Sequence, residues 1–151
     1  MKAIMACDPY GGIGIEGRLP WTRLDGDLAR FKELTNGSTV IMGHSTWRSL
    51  PFKPLLNRTN VVVSNHKLQL PPSVKVINNI DDLADYSDAW FIGGARLLDE
   101  VWDQIDQFHL TKASKAYDCD TFIDLEYLED NFELTSEEVF KDNIYEIWQR
   151  T

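Results

Sequence analysis

Apolar residues along this chain fall in short runs separated by polar turns. Runs rich in β-branched and aromatic side chains at 2–7, 39–43, 59–64, 74–78, 89–92, 108–113, 132–140 and 144–150 have strand length and predict strands. Between them the spacing changes to three and four. Leu24, Leu28, Phe31 and Leu34 share one face of a helix over 25–35, and Leu97, Leu98, Val101 and Trp102 one side of a helix over 95–104. Shorter helices are predicted at 45–50 and 80–86. Strands and helices alternate to about residue 113, which predicts a mainly parallel sheet covered on both faces. The last two strands have no helix between them and predict an antiparallel edge. The fold class is α/β. Stretches 51–58 and 65–73, rich in Pro, Asn and Lys, are exposed loops, and with no repeat or polar linker a single domain over 1–151 is expected.

Composition changes this picture little. A chain of 151 residues with 43% hydrophobic, 11% aromatic and 26% charged residues is ordinary for a globular protein. At this length roughly 70% of the unfolded surface can be buried, so the core needs no disulfide or metal. Charge is more informative. Fifteen basic against 24 acidic residues give a net charge of -9 without a basic stripe, which argues against a nucleic-acid or anionic-membrane partner. Cys7 and Cys119 lack metal-ligand spacing, and no apolar run suits a signal peptide or a membrane span, so a reduced cytoplasmic chain with no metal is expected.

Four stretches carry candidate chemistry. The first is Asp8-Pro9-Tyr10-Gly11-Gly12-Ile13-Gly14-Ile15-Glu16-Gly17-Arg18, a glycine-rich loop after the first strand that leads into Leu19-Pro20-Trp21 and suits a mobile lid or an ordinary long loop. The second is Leu24-Asp25-Gly26-Asp27-Leu28-Ala29-Arg30-Phe31-Lys32. Here Asp25 can cap a helix, and Asp27, four before Phe31, puts a carboxylate on an apolar face or simply favours the helix's positive end. The third and fourth, Val40-Ile41-Met42-Gly43-His44-Ser45-Thr46-Trp47 and Ala89-Trp90-Phe91-Ile92-Gly93-Gly94-Ala95-Arg96, are strands turning through glycine into helices. Such junctions suit phosphates, and two of them suit a dinucleotide, though neither is G-x-G-x-x-G and each alone is also a plain connection.

The strings LPW, DLARFK, VIMGHSTW, NRTNVVVS and FIGGAR, in this order and spacing across essentially the whole chain, resemble the dihydrofolate reductase family. The resemblance implies a dihydrofolate reductase-like fold, an eight-stranded, mixed but mainly parallel central sheet with about four helices and an antiparallel C-terminal edge. It implies reduction of 7,8-dihydrofolate to tetrahydrofolate by hydride transfer from NADPH, with NADH a weaker donor, in one-carbon metabolism and thymidylate synthesis. Antifolates such as methotrexate or trimethoprim are expected to bind, and the family's common state is a monomer.

Residue by residue, Asp27 matches the acid that bonds the pterin's amino group and ring nitrogen, with Asp25 the nearby competitor. Thr111 matches the hydroxyl that holds that acid, and a water admitted beside Leu19 is the implied proton donor. Met5, Ala6, Leu28, Phe31 and the carbonyls of Ile4 and Ile92 match the pterin pocket. Leu50 and Leu55 match the flanks of the aminobenzoyl ring. Arg58, helped by Lys53, matches the receptor of the glutamate α-carboxylate. On the cofactor side, Ala6, Ile13 and Trp21 with the loop from Gly14 to Leu19 match the nicotinamide end, and Gly43, His44, Ser45 and Thr46 the pyrophosphate. Ser64, Asn65 and His66 match the 2′-phosphate turn, Ile92, Gly93, Gly94, Ala95, Arg96 and Leu97 the second phosphate wall, and Thr121 the distal loop. A cis bond between Gly93 and Gly94 is implied.

The chain departs from the family's pattern at several points. His44 stands where many members have Arg, which weakens the preference for NADPH over NADH. Leu98 replaces a Tyr near the nicotinamide. One extra residue lies between Trp21 and Asp27, and Asp120-Thr121-Phe122-Ile123-Asp124 keeps only part of the distal-loop motif, which questions its control of the lid. Two rival readings stay open. One is a related reductase of riboflavin synthesis, disfavoured by the set Asp27, Phe31 and Arg58; the other is a catalytically idle folate-binding homologue.

Overall fold

The computed structural model describes residues 1–151. Eight strands form one sheet: β1 (Lys2–Cys7), β3 (Thr39–Gly43), β4 (Thr59–Val63), β5 (Lys75–Ile77), β6 (Trp90–Phe91), β7 (Gln107–Ala113), β9 (Phe132–Val139) and β10 (Asn143–Arg150). Their order is β5-β4-β3-β6-β1-β7-β10-β9. Every pairing is parallel except those of β10, which runs against both β7 and β9. The predicted mixed sheet and antiparallel edge are therefore present, with strand ends differing by one or two residues.

Four α-helices pack on the sheet: α1 (Asp27–Thr35), α2 (His44–Ser49), α3 (Ala95–Val101) and α4 (Leu125–Asn131). Three helix predictions need correction. Residues 80–86 form a 3₁₀ helix, opened by Asn79, whose side chain accepts the Asp81 amide. The predicted 95–104 helix gives way to a 3₁₀ turn at Trp102–Gln104, and α1 begins at Asp27 rather than 25. Asp25 is not its cap. Gly26 holds that position, while the Asp25 amide donates to the Asp142 carboxylate and its carbonyl accepts from Asn143. Helix α4 was not predicted, nor was the ribbon that pairs β2 (Gly12–Gly14) with β8 (Thr121–Phe122).

Period-two alternation sorts the central strands onto two faces. On one, Met1, Ala3, Met5 and Cys7 join Phe91, Phe108, Leu110 and the apolar sides of α3 and α4 in a core of 21 buried residues. On the other, Ile4, Val40, Met42, Trp47, Val62 and Trp90 pack with Phe31 and Leu34 of α1. Burying a side chain such as Phe91 or Leu110 completely contributes about 1.5–3 kcal/mol, so this two-sided burial is the main force holding β1 and β7 at the centre.

The chain runs outward from β3 to β5, returns to insert β6 between β3 and β1, and then crosses β1 to reach β7. Connections diverge around β6 and β1, which opens a cleft at the C-terminal ends of these strands. The glycine-rich loop, the start of α1 and both Gly-helix junctions all emerge there.

Candidate active site

Asp27 opens α1, where its carboxylate suits the positive helix end. Its side chain meets Thr111 of β7 and remains 30% exposed. The Thr111 hydroxyl donates to Asp27 Oδ1 at 2.8 Å. Burial raises the carboxyl's affinity for a proton above the usual range, while the Thr111 bond and the nearby Arg30 guanidinium pull it down without cancelling the rise. Arg30, three residues on, reaches Asp27 Oδ1 at 3.9 Å and donates to Thr111 Oγ1 at 3.0 Å.

Residue Thr35 lies eight residues further along α1, about 12 Å at 1.5 Å per residue. Its hydroxyl accepts from Arg58 Nη1 at 3.1 Å, and Arg58 Nε donates to the Leu56 carbonyl at 2.9 Å, so the guanidinium is tethered beside the Phe31 ring. Leu50 and Leu55 pack near Phe31 in the same cluster, whereas Leu28 is 63% exposed. The Lys53 ammonium is engaged by the carbonyls of Arg48 and Leu50. An apolar stretch along α1 thus runs from the Asp27 carboxylate to the Arg58 guanidinium, which the 51–58 loop brings to Thr35. Side chains of the β1 residues divide: Ile4 joins the α1 face and Ala6 the small cluster of Trp21 and Leu24, while Met5 turns to the opposite core.

The two glycine junctions meet. Gly43 N donates to the Gly93 carbonyl at 2.9 Å, and the Gly93–Gly94 peptide is cis. Gly93 has φ +124°, a conformation L side chains rarely adopt, and a Cβ on either residue would stand 3.4 Å from the Thr46 hydroxyl. Neither helix start has a side-chain cap, which leaves the first amides of α2 and α3 for another acceptor. Gly43 pairs with Val63 across β3 and β4, so His44 and Ser64 continue side by side from adjacent strand ends. Asn65 and His66 follow on the surface, in a turn held by Asn78 donating to the carbonyls of Ser64 and His66. Ser45 and Arg96 are exposed at the two helix starts, with Ala95 buried and Leu97 against Gly43. Leu98 is fully buried in the larger core.

Over the cleft lies the loop 8–20. Asp8 is buried and its carboxylate accepts the amides of Tyr10, Gly12 and Tyr117. Asp120 accepts the Glu16 amide at 2.9 Å, and its own amide donates to the Gly14 carbonyl. The distal loop therefore grips the glycine-rich loop despite its partial motif, with Ile13 packed on the large core and Thr121 beside Gly14. Trp21 is buried edge-on to Tyr117 at 5.7 Å, and Leu19 is 65% exposed at the loop's end. Sequence reasoning did not single out Arg30, Asp8 or Asp120. Arg30 had a signal in its i,i+3 spacing from Asp27 and Asp120 one in opening the partial distal-loop motif; Asp8 had none beyond lying in a loop.

An acidic group at the floor of a cleft, a tethered cation at its far end and a paired-glycine junction alongside define an α/β protein that binds small molecules at a sheet switch point. The dihydrofolate reductase family model matches residues 1–148. Type 8 dihydrofolate reductase of Escherichia coli is 37% identical over 145 residues, 88% of this chain and 85% of that one. Dihydrofolate reductase of Staphylococcus aureus is 36% identical over 123 residues, 81% and 76% of the two chains. The structure of dihydrofolate reductase from Enterococcus faecalis complexed with NADP(H) and RAB-propyl superposes with a TM-score of 0.85 at 29% identity, covering 99% of this chain and 95% of that one. This chain belongs to the dihydrofolate reductase family.

Proposed function

We propose that the protein reduces 7,8-dihydrofolate to 5,6,7,8-tetrahydrofolate with NADPH, feeding one-carbon metabolism and thymidylate synthesis. The observation that carries this reading is the Asp27–Thr111 pair at the floor of a cleft whose other end is Arg58. A pterin offers an amidine-like edge that matches the carboxylate, and its glutamate tail offers a carboxylate that a guanidinium fork matches. Phe31, Leu50 and Leu55 supply the apolar stretch between, with Leu28 at the rim.

The junction of Gly43 with Gly93–Gly94, beside Thr46 and two uncapped helix starts, fits a pyrophosphate, because small residues let the backbone approach and free amides face the anion. His44, the turn Ser64–His66 and Arg96 suit the 2′-phosphate, and Ala6, Ile13, Gly14 and Ile92 the nicotinamide end. When bound, NADPH supplies the hydride that adds to C6 of the pterin as the C6–N5 double bond becomes single. The electron pair left on N5 takes one proton. Asp27 holds the ring and favours its cationic, more electrophilic form; Thr111 fixes the carboxylate; water admitted beside Leu19 brings the proton, and Trp21 helps enclose the nicotinamide.

The protein acts as one domain over 1–151, as a cytoplasmic monomer without nucleic-acid or membrane partners. No helix is long and apolar enough to cross a membrane. Methotrexate or trimethoprim competes for the pterin pocket. NADH is the weaker donor, by a smaller margin than an arginine at position 44 would give.

The test is loss of absorbance at the reduced-nicotinamide band with purified protein, with NADPH and NADH run side by side. Dihydrofolate-dependent oxidation, faster with NADPH, is expected. Folate binding without oxidation of either donor would replace the enzyme with a binding protein.

A further inference from the structure

Arg30 lies on the side of α1 that faces the sheet, where a charged side chain has to be satisfied by its neighbours. It is only 13% exposed. Its guanidinium stacks 3.9 Å over the Tyr145 ring of β10 and 4.9 Å from the ring of Phe140 in the β9–β10 turn. From this aromatic seat one nitrogen donates to Thr111 Oγ1 at 3.0 Å and lies 3.9 Å from Asp27 Oδ1. The seat is itself fixed from behind, since the Tyr145 hydroxyl is hydrogen-bonded to His109 Nδ1 and His109 Nε2 to Gln107.

The direction of these bonds decides what Arg30 does. A guanidinium only donates and a hydroxyl has a single proton. By filling a lone pair of Thr111, Arg30 leaves that proton for the carboxylate, an arrangement an ionised Asp27 accepts best. Its charge adds a direct attraction through a site sheltered from water.

We propose that Arg30 is a positioning residue for the reaction: clamped between Tyr145 and Thr111, it commits the Thr111 hydroxyl to Asp27 and sets its own charge beside that carboxylate.

The other groups around Asp27 do not duplicate it. On β7, Thr111 carries no charge, and His109 is held neutral, lowered to about 4 by burial and then by the charges of Lys2 and Arg30. On β10, burial keeps the Tyr145 phenol protonated, with Arg30 acting against that and Glu138 of β9 adding to it. Lys112 lies on the other face of β7, 3.8 Å from Glu146. Arg30 is the one charged side chain acting on Asp27, and it opposes the rise that burial causes.

The proposal deepens the reductase reading, but its test needs no turnover. Protein labelled with ¹³C at the Asp side-chain carboxyl is titrated by NMR without ligand, with the Asp27 signal assigned by its loss in Asp27→Asn. Arg30→Met removes both charge and donor, and Arg30→Gln keeps a donor for Thr111 without the charge. Both are expected to ionise Asp27 at higher pH than wild type, the Met variant more so. At the wild-type midpoint, at most about a quarter of Met-variant molecules should carry the charge. If that variant does not fold, the Gln variant reads the charge effect alone. Midpoints coinciding with wild type in the folded variants, whatever their loss of stability, would reduce Arg30 to a packing residue and overturn the proposal.

Discussion

At the scale of single residues the cleft joins groups kept partly from water, and the cost and the use of each have the same origin. Asp27 binds a proton more readily in the folded chain than in the unfolded one, since burial raises it above its ordinary range. Its contribution to folding is therefore most favourable at low pH and is lost as pH rises through the raised value. Asp27→Asn is expected to be more stable than wild type in urea at pH 7, with the advantage vanishing in acid. Equal stability at both ends would show that burial does not strain this carboxylate. Arg58 acts differently. Its tether to Thr35 and the Leu56 carbonyl leaves guanidinium donors over, and in the proposed reaction these would hold a ligand's carboxylate before and during hydride transfer alike. Arg58→Gln should therefore raise KM for dihydrofolate about 10- to 100-fold with kcat nearly unchanged, as for a lost charge-assisted hydrogen bond. A matching fall in kcat would instead place Arg58 in the transition state. His44→Arg restores a permanent cation beside the Ser64–His66 turn, and is expected to widen the NADPH-over-NADH ratio of kcat/KM by about tenfold.

Among elements, the glycine-rich loop depends most on its neighbours. A Cβ at Gly12 would lie 2.5 Å from Cys119 Sγ and 3.1 Å from an Asp8 oxygen, so the two loops close only over a glycine. Gly12→Ala is expected to cost about 1–3 kcal/mol of stability by overpacking. It should also free the Glu16 amide from Asp120, seen as faster hydrogen exchange over 8–20. Unchanged exchange there would mean that the ribbon does not control the lid. The pairing of this ribbon was not legible in the sequence, because three- and two-residue strands carry no period; the partial motif at Asp120 pointed to the distal loop, while Asp8 looks like any other loop acid. The 125–131 helix was hidden for another reason: Leu-Glu-Tyr-Leu-Glu-Asp-Asn reads as an acidic turn until Asp124 caps it through the Tyr127 amide and Leu128 enters the core. What was legible rests on long regular signals. The strand-length runs at 2–7 and 108–113 marked the centre of the sheet, and the two strand-glycine-helix junctions marked candidate phosphate sites. Arg30 follows Asp27 by three residues in the sequence, yet only the register of β7 against β10, with Thr111 opposite Tyr145, brings out the role proposed for it.

In the whole molecule, the same face that seats α1 also buries His109, so the proposed active site and the acid sensitivity of the fold share a wall. His109 titrates at about 4 against an ordinary 6.5, because burial and then Lys2 and Arg30 disfavour its charge. Its neutral form supports folding fully above pH 6.5. That support is lost as pH falls from 6.5 toward 4, by up to about 3 kcal/mol at 1.36 kcal/mol per unit. Wild type should accordingly lose more stability between pH 7 and 4 than His109→Gln, whose amide can still meet Tyr145 and Gln107. Identical losses would locate acid sensitivity elsewhere.

The central claim, that the Asp27 carboxylate serves hydride transfer from NADPH to dihydrofolate, is tested most directly by single-turnover oxidation of bound NADPH across pH 5 to 9 for wild type and Asp27→Asn. Expected is a loss of about 10²- to 10⁴-fold in the variant near pH 7 that shrinks steadily toward acid, where substrate arrives already protonated. A variant as fast as wild type at pH 7, or one whose deficit is constant with pH, would contradict it.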